Sequence, residues 1–331
     1  METKKAKMVV IVLALTLLHL LPLSAKSQDE PRIPISSVPF NITSPGSYYF
    51  TSDLTSTVPD QNAIEVDANN VTIDLMGFNL IGPGSGQGRG IYINARANVE
   101  IRNGTVWDFG AEGIYEMGMA GTEEHPHYGY GHRIIDVRAL FNGSDGICLR
   151  GFSHLVKDCS VSGNEGAGIS VALDSTVTGN TILENLGDGL VAFSDSTITG
   201  NTVSTNGDDG IEVSFGCTVS GNTVAYNLYF GIWAWDGCAV IDNTTYRNGV
   251  GILVSEAGSL VKSNTLRSNA QTGILVDGMD NAIEENLVTG SPVGFDFIKC
   301  DNFYANNRAA GNGSDYVNTG CQTDGGGNVS F

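Results

Sequence analysis

Three carboxylates near the middle of the chain have a spacing that suits acid–base chemistry. Asp188 and Asp209 lie 21 residues apart, each directly before a glycine, and Asp208 adjoins the second of them. Two carboxyl groups about 6.5–9.5 Å apart can hydrolyse a glycosidic bond with inversion, one as the acid and one as the base that activates water. Asp145 also precedes a glycine in this register, and Asp–Gly is ordinary turn chemistry. The trio is therefore either a catalytic cluster or a set of corner residues.

A second group combines aromatic rings with a carboxylate. Trp233 and Trp235 alternate with small residues, Tyr229 and Phe230 precede them, and Glu212 stands 21 residues before Trp233. Aromatic rings can stack on the C–H faces of sugars while carboxylates accept hydrogen bonds from sugar hydroxyls. The pattern predicts a carbohydrate-binding face. The alternative is that the rings pack under a loop or against a neighbouring chain.

Histidines are concentrated in one polar segment. His125, His127 and His132 are three of the five histidines in the chain, and Met119 precedes them. Imidazole and thioether groups bind transition metals such as copper or zinc, so these residues are candidate ligands, with His154 or Met119 as a fourth. An acid–base role and an ordinary polar loop remain alternatives.

Composition and charge limit the possible folds and partners. The 331 residues include 43 Gly and 28 Asn, both poor helix formers, which excludes a helical bundle. The formal charge is −19, and the chain without residues 1–27 carries −22, from 13 basic and 35 acidic residues. Nucleic acid and anionic membrane surfaces are therefore excluded as partners, because binding to either comes chiefly from Lys and Arg.

A repeat organises the chain and must position these residues. A glycine followed by an apolar residue recurs mostly 20–23 residues apart, with one interval of 33, at positions 90, 113, 146, 168, 189, 210, 231, 251, 273 and 294. Each unit contains three short runs of alternating apolar and polar residues separated by Asn and Gly, which is typical of strands joined by turns. Such short strands are stable only when they stack coil upon coil.

Asparagines recur with the same period and predict two ladders at two corners. One series holds Asn180, Asn201, Asn222, Asn243 and Asn264, and the other Asn164, Asn185, Asn206, Asn227, Asn248 and Asn269. Asn tolerates the left-handed backbone of a tight corner, and its amide can bond the equivalent amide one coil away. The inward positions are expected to be those of Ile169, Val171, Val177, Ile182 and their equivalents.

This repeat resembles that of the right-handed parallel β-helix proteins, the pectin-lyase-like superfold, over roughly residues 63–315. The resemblance implies an all-β right-handed solenoid of about 10–11 coils with terminal caps. It implies no single activity, because relatives include polysaccharide lyases, hydrolases and epimerases, phage tailspikes, adhesins and copper-accessory proteins.

Two enzyme subfamilies are matched only in part. Asp208-Asp209, one coil after Asp188, resembles the paired aspartates of polygalacturonases, but the Gly-His-Gly and Arg-Ile-Lys motifs of that family are absent. His125-Pro126-His127 resembles part of the Asp-Pro-His-Glu motif of mannuronan epimerases, with His in place of the Asp and Tyr128 in place of the Glu. These partial matches do not assign either activity to this chain.

The N-terminus predicts export. Three lysines precede an apolar run from Met8 to Leu23, and small residues then fit cleavage after Ser27. The predicted organisation is a signal peptide at residues 1–27, an N-terminal cap at 28–62, the β-helix at 63–315 and a C-terminal cap and tail at 316–331. A secreted, periplasmic or cell-surface location follows, with no membrane span after cleavage.

Cysteine positions predict a disulfide in such an exported chain. Cys217 and Cys238 both lie seven residues after the glycine of their coil, so stacking would bring them within bridging distance. Cys300 and Cys321 have the same separation and are a second candidate pair. Cys148 and Cys159 share one coil and are expected to be free.

The sequence favours an exported β-helix protein that binds a polysaccharide through its outer face. A polysaccharide-modifying enzyme and a periplasmic copper-accessory protein remain the alternatives. Whether the chain is an enzyme is left open, no cofactor is required, and a transition metal is possible. The oligomeric state is not determined by the sequence.

Overall fold

The computed structural model describes residues 31–122 and 125–331, and the side chains of these except residues 120–128. The chain divides into residues 1–32 and a compact unit, Ile33–Phe331, to which the description below refers. The predicted signal peptide lies outside the described residues. Within the described ranges, no helix is both long and apolar enough to cross a membrane.

The compact unit consists of short parallel strands in two sheets. The first sheet has 13 strands: Phe40–Ile42, Ile64–Val66, Ile91–Ile93, Ile114–Glu116, Ile147–Phe152, Ile169–Leu173, Leu190–Ala192, Ile211–Phe215, Phe230–Asp236, Val250–Val254, Thr272–Val276, Val293–Phe297 and Ser314–Val317.

The second sheet has 25 strands, mostly two from each coil, and bends around the rest of the solenoid. Its strands are Ile33–Ile35, Gly46–Phe50, Leu54–Thr55, Val71–Asp74, Asn79–Ile81, Val99–Trp107, Arg133–Leu140, Leu155–Lys157, Ser160–Ser162, Thr176–Thr178, Thr181–Leu183, Thr197–Thr199, Thr202–Ser204, Thr218–Ser220, Thr223–Ala225, Ala239–Ile241, Thr244–Tyr246, Leu260–Lys262, Thr265–Arg267, Ala282–Glu284, Leu287–Thr289, Phe303–Ala305, Arg308–Ala310, Thr323–Asp324 and Val329–Ser330.

Two further elements depart from the repeat. An antiparallel hairpin, Met119–Thr122 with His125–Tyr128, accounts for the extra length of the 33-residue interval. A 3₁₀ helix, Thr319–Cys321, lies near the C-terminus. The hairpin is thus an insertion into an otherwise regular coil.

The coils stack as the repeat predicts and extend further than it indicates. Ile211 pairs with Leu190 of the preceding coil and Ile232 of the next. The first sheet has 13 strands, one from each coil, whereas 10–11 coils were expected. One additional strand, Phe40–Ile42, lies in the segment expected to form the N-terminal cap and pairs with Ile64–Val66. At the other end, Thr323–Asp324 and Val329–Ser330 also pair with the solenoid. These terminal coils lack the Gly–apolar signature, so the sequence repeat does not reveal them.

The core is a column of apolar residues from alternate strand positions. Ile169, Val171, Val177 and Ile182 are all 0–1% exposed, which confirms the predicted inward face. Successive coils cover each other's apolar rungs, and burial at about 25 cal/mol per Å² of apolar surface is the main stabilising contribution.

The two predicted asparagine ladders are present. Asn222 shows the pattern: its Nδ2 donates to Asn243 Oδ1 and Ile198 O, both at 3.0 Å, and its Oδ1 accepts from the backbone N–H of Asn201 at 2.9 Å. The left-handed backbone was expected at the ladder Asn itself and occurs instead one residue earlier, as at Gly179, Gly200 and Thr205. The preceding residue makes the turn, so the Asn side chain is free to point inward.

A third ladder was not predicted, because its residue type changes from coil to coil. Each member after His132 accepts a hydrogen bond from the backbone N–H of the member one coil before it, as Ser175 does from His154 and Asn281 from Ser259. Its members are His132, His154, Ser175, Ser196, Cys217, Cys238, Ser259, Asn281, Asn302 and Gln322.

Candidate functional site

Three carboxylates meet on the outer side of the first sheet. One oxygen each of Asp188, Asp209 and Glu212 lies within 4.8 Å of the others. The two aspartates occupy the same corner of adjacent coils, directly before the glycine that opens each strand. Glu212 points outward from the strand Ile211–Phe215. We call these three residues the acidic cluster.

Backbone hydrogen bonds hold the aspartates in place. The N–H of Asp209 donates to Asp188 Oδ1 at 3.0 Å, and the N–H of Phe230 donates to Asp209 Oδ1 at 2.8 Å. Asp209 is only 3% exposed. These bonds satisfy backbone N–H groups of the turn, as expected for corner residues. They use Oδ1 of each aspartate and leave Oδ2 without a bond from these donors.

Burial and like charge change the protonation of the cluster. Burial raises the pKa of Asp209 to about 7, and the neighbouring carboxylates of Asp188, Asp208 and Glu212 add to the rise. The pKa of Asp188 and that of Glu212 are also raised, chiefly by burial. No cation of the described part forms an ion pair with any of the three. Near neutral pH, the cluster therefore retains a proton that it can donate.

The carboxylate separation differs from the one expected for inversion. One oxygen of each carboxylate approaches the others within 4.8 Å, whereas the carboxyl groups of inverting glycosidases lie roughly 6.5–9.5 Å apart. Asp208, the third member of the predicted trio, is exposed at the corner and lies outside this cluster. Glu212, which the sequence placed with the aromatic residues, completes it instead.

Aromatic rings adjoin the acidic cluster on the next coil. Trp233 is paired in register with Glu212. Its ring lies 5.1 Å from that of Trp235 with 25° between their planes, and 5.5 Å from that of Phe230 in an edge-on contact. The indole N–H of Trp233 donates to Ser255 Oγ at 2.7 Å. We call Trp233, Trp235 and Phe230 the tryptophan cluster.

The tryptophan cluster remains partly accessible. Both indoles are half-buried, and Tyr229 beside them is 54% exposed. Phe193 and Phe215 are exposed on neighbouring coils of the same sheet. The structure thus places all five residues of the predicted carbohydrate-binding group together with Asp188 and Asp209.

Two of the predicted histidine ligands lie in the interior of the β-helix. His132 and His154 are ladder members in the interior, with parallel rings 4.9 Å apart. The Nδ1 of each accepts a backbone N–H, from Val99 and His132 respectively, so the single proton of the neutral ring lies on Nε2. An Nε2 that carries a proton has no lone pair for a metal. This geometry leaves neither ring with a free lone pair for a metal, so metal binding by these two residues stays an untested prediction that the structure does not favour.

The remaining residues of that prediction lie elsewhere. His125 and His127 belong to the hairpin strand His125–Tyr128, and their side chains lie outside the described residues. Met119 begins the other hairpin strand and is 59% exposed. Burial lowers the pKa of His132 to about 3 and that of His154 to about 4, which also makes an acid–base role for them unfavourable near neutral pH.

Glu116 is a buried carboxylate that the sequence pattern did not predict. Glu116 is fully buried at an inward position, accepts the backbone N–H groups of Gly118 and Gly151 at 2.5 and 2.6 Å, and lies 3.8 Å from His154 Nε2. Burial raises its pKa. The detectable signal was a Glu where the adjacent coils have Ile93 and Leu149, just before the hairpin of the long coil. Its contacts anchor the base of the hairpin.

The cysteines divide differently from the expectation. Cys300 and Cys321 form a disulfide with a Cα–Cα distance of 5.2 Å. Cys217 and Cys238 are free thiols, so the predicted bridge between them is absent from this structure. Their sulfurs face backbone carbonyls of preceding coils, Phe193 O at 2.6 Å and Ser214 O at 3.0 Å, in the third ladder. Cys148 and Cys159 are free, as expected.

Comparison with known proteins agrees with this architecture. Residues 89–250 match the family described as the right handed beta helix region. The fold is therefore a right-handed parallel β-helix. Residues 235–329 match the family of the periplasmic copper-binding protein NosD. No curated protein matches the chain.

Solved structures similar to the β-helix include proteins of several activities. The A-module of a mannuronan C-5 epimerase from Azotobacter vinelandii is 15% identical with a TM-score of 0.62, over 86% of this chain and 88% of its own. Gene product 12 of bacteriophage phi29 is 12% identical with a TM-score of 0.66, over 86% and 49%. An α-1,3-glucanase catalytic unit from Streptomyces thermodiastaticus is 16% identical with a TM-score of 0.52, over 90% and 62%. At such identities, the similarity concerns the fold.

Proposed function

We propose that the β-helix binds a polysaccharide along the outer face of its first sheet, centred on the tryptophan cluster. The observation that carries this proposal is the pair of half-buried indoles beside three carboxylates that lack a basic partner in the described part. Rings so placed can stack on sugar C–H faces, and the carboxylates can accept hydrogen bonds from sugar hydroxyls.

The charge of the acidic cluster indicates the kind of sugar at this position. A uronate unit would bring another carboxylate to Asp188, Asp209 and Glu212, where no described cation compensates it. An uncharged sugar unit has no such cost. We therefore propose that the unit against Trp233 and Trp235 is neutral.

The proposal includes a location outside the cytoplasm. The predicted signal peptide, the disulfide between Cys300 and Cys321 and the periplasmic family matched by residues 235–329 support it.

A binding experiment tests the proposal. Trp233→Ala/Trp235→Ala should no longer be retained on any immobilised neutral polysaccharide that retains the parent. Tyr226→Ala/Tyr246→Ala is the matched control, since it removes an aromatic pair with a centroid distance of 5.3 Å from the second sheet. Equal retention of the tryptophan variant and the parent would overturn the proposal.

Polysaccharide modification is the second candidate, favoured by the raised pKa of Asp209. A carboxyl group that is half protonated near pH 7 is a suitable general acid. Asp209→Asn should then abolish turnover without weakening polysaccharide binding, measured by the release of reducing ends or unsaturated products. Products formed equally by variant and parent would exclude this role.

The segment that matches the copper-binding family does not itself support a copper-accessory role. The segment that matches the copper-binding family, residues 235–329, contains no histidine. Its free thiol, Cys238, is buried in the third ladder, and its two other cysteines are paired with each other. We therefore assign no copper chemistry to this segment, and His125, His127 and Met119 of the hairpin stay candidate ligands.

A further inference from the structure

A second aromatic group lies on the first sheet, at the coils that begin near residues 90 and 113. Tyr92 and Tyr115 are paired in register, with ring centroids 5.9 Å apart and 7° between their planes. The guanidinium groups of two arginines lie over the Tyr115 ring, Arg89 at 4.3 Å and Arg150 at 5.3 Å. We call these four residues the tyrosine cluster.

The two arginines differ in their charge balance. Arg89 forms an ion pair with Glu112 at 2.7 Å, which neutralises it. Arg150 is exposed and forms no ion pair with a carboxylate of the described residues. The carboxylates of Glu112, Glu116 and Asp145 attract Arg150 without forming an ion pair with it, and its side chain remains exposed beside the stacked rings. A guanidinium binds a carboxylate through two parallel hydrogen bonds, and the tyrosines offer a stacking surface beside it.

The tyrosine and tryptophan clusters face the same side of the solenoid. Register pairs connect Tyr115 through four intermediate rungs to Trp233, which is five steps of ~4.8 Å, or about 24 Å. This distance exceeds the Debye length of roughly 8 Å at physiological salt. Charged sugar units at Arg150 are thus screened from the acidic cluster.

We propose that the tyrosine cluster is a second subsite, which binds a carboxylate-bearing sugar unit of the same polymer whose neutral unit contacts the tryptophan cluster. The inference rests on the proposed function, since it takes the first sheet as the polymer-binding face. It specifies the polymer as an acidic heteropolysaccharide with neutral units between its uronates. Two linked contacts raise overall affinity above that of either one.

The test uses gellan, xanthan and hyaluronan as glucuronate-containing probes, each compared with the same polymer after reduction of its carboxyl groups. For at least one probe, Arg150→Gln should weaken binding to the acidic form by about five- to tenfold, as expected for loss of a charge-assisted pair. It should leave binding to the reduced form unchanged. Added salt should weaken acidic-polymer binding by the parent more than by the variant.

Arg247→Gln is the matched control, because Arg247 is an exposed arginine over a tyrosine ring, at 5.0 Å from Tyr246, on the second sheet. Its affinity for every probe should equal that of the parent. Unfolding midpoints of both variants should match the parent, which excludes a folding defect.

The outcomes separate this inference from the proposed function. Binding that the tryptophan variant weakens and Arg150→Gln does not would overturn the inference and retain the proposed function. Binding that depends on Arg150 and not on the tryptophans would overturn the proposed function and support an anion site at the tyrosine cluster. A parent that binds none of the probes in either form would overturn both.

Discussion

The tryptophan cluster and the tyrosine cluster lie on the same face of the first sheet but have opposite electrostatic surroundings. Trp233 and Trp235 adjoin three carboxylates, whereas Tyr92 and Tyr115 adjoin Arg89 and Arg150. The difference is possible because only alternate strand residues face the core. A solenoid can therefore change the chemistry of each outward rung without changing the packing beneath it.

The largest expected effect comes from breaking the scaffold that both clusters share. Asn222→Ala should reduce the free energy of unfolding by about 3–5 kcal/mol, because it leaves buried backbone and amide groups of neighbouring coils without partners. Urea denaturation measures the loss. Asn41→Ala, at an exposed strand position, should change little. A similar small loss for Asn222→Ala would show that the ladder does not stabilise the scaffold.

Polysaccharide binding tests the role of the tryptophan cluster in this comparison. Trp233→Ala/Trp235→Ala should weaken binding of a neutral polysaccharide by about 2–4 kcal/mol, at ~1–2 kcal/mol for each lost stacking contact. Titration calorimetry with soluble oligosaccharides from a polymer that retains the parent measures this. Tyr92→Ala/Tyr115→Ala should leave neutral oligosaccharides unaffected, and an equal loss in that variant would erase the distinction between the clusters.

The acidic cluster beside the tryptophans predicts that the stability of the protein depends on pH. The pKa of Asp209 is raised by burial from 3.8 to about 7, so between these values the native state binds a proton that the unfolded state releases. The free energy of unfolding should therefore fall as pH rises from about 4 to 7. Asp209→Asn, whose Oδ1 can still accept the Phe230 N–H, should stabilise the protein at pH 8 by about 2–3 kcal/mol.

Denaturation at pH 5 and pH 8 checks this sign. The matched control is Asp208→Asn, which removes the exposed carboxylate next in sequence. Greater stability of the parent at pH 8 than at pH 5, with no change in the Asp209 variant, would contradict the assignment.

The smallest effect is expected in the coil that carries Tyr115 and in the coil after it, which hold His132 and His154. His132→Ser/His154→Ser keeps a hydroxyl acceptor of the kind found at Ser175 and Ser196 in the third ladder. Copper and zinc contents of variant and parent, purified without chelator and measured by mass spectrometry, should be equal. A lower content in the variant would show that the ring nitrogens bind a metal after all.

The sequence by itself determined the repeat, its register and the rungs of the two asparagine ladders. A period of about 21 residues fixes which residues stack, because one coil must return each position above its equivalent. The pairing of Glu212 with Trp233 and the closeness of His132 to His154 follow directly from that register.

Side-chain direction, burial and pKa depend on the tertiary structure and do not follow from residue spacing. Register places Cys217 next to Cys238, and their thiols contact each other and backbone carbonyls in the third ladder without forming a bridge. His132 and His154 point inward because the corner offers them backbone N–H groups, which removes them from any surface site. Asp209 acquires its raised pKa and its proximity to Glu212 only when the corner and the strand face fold against each other, since burial is a property of the assembled coils.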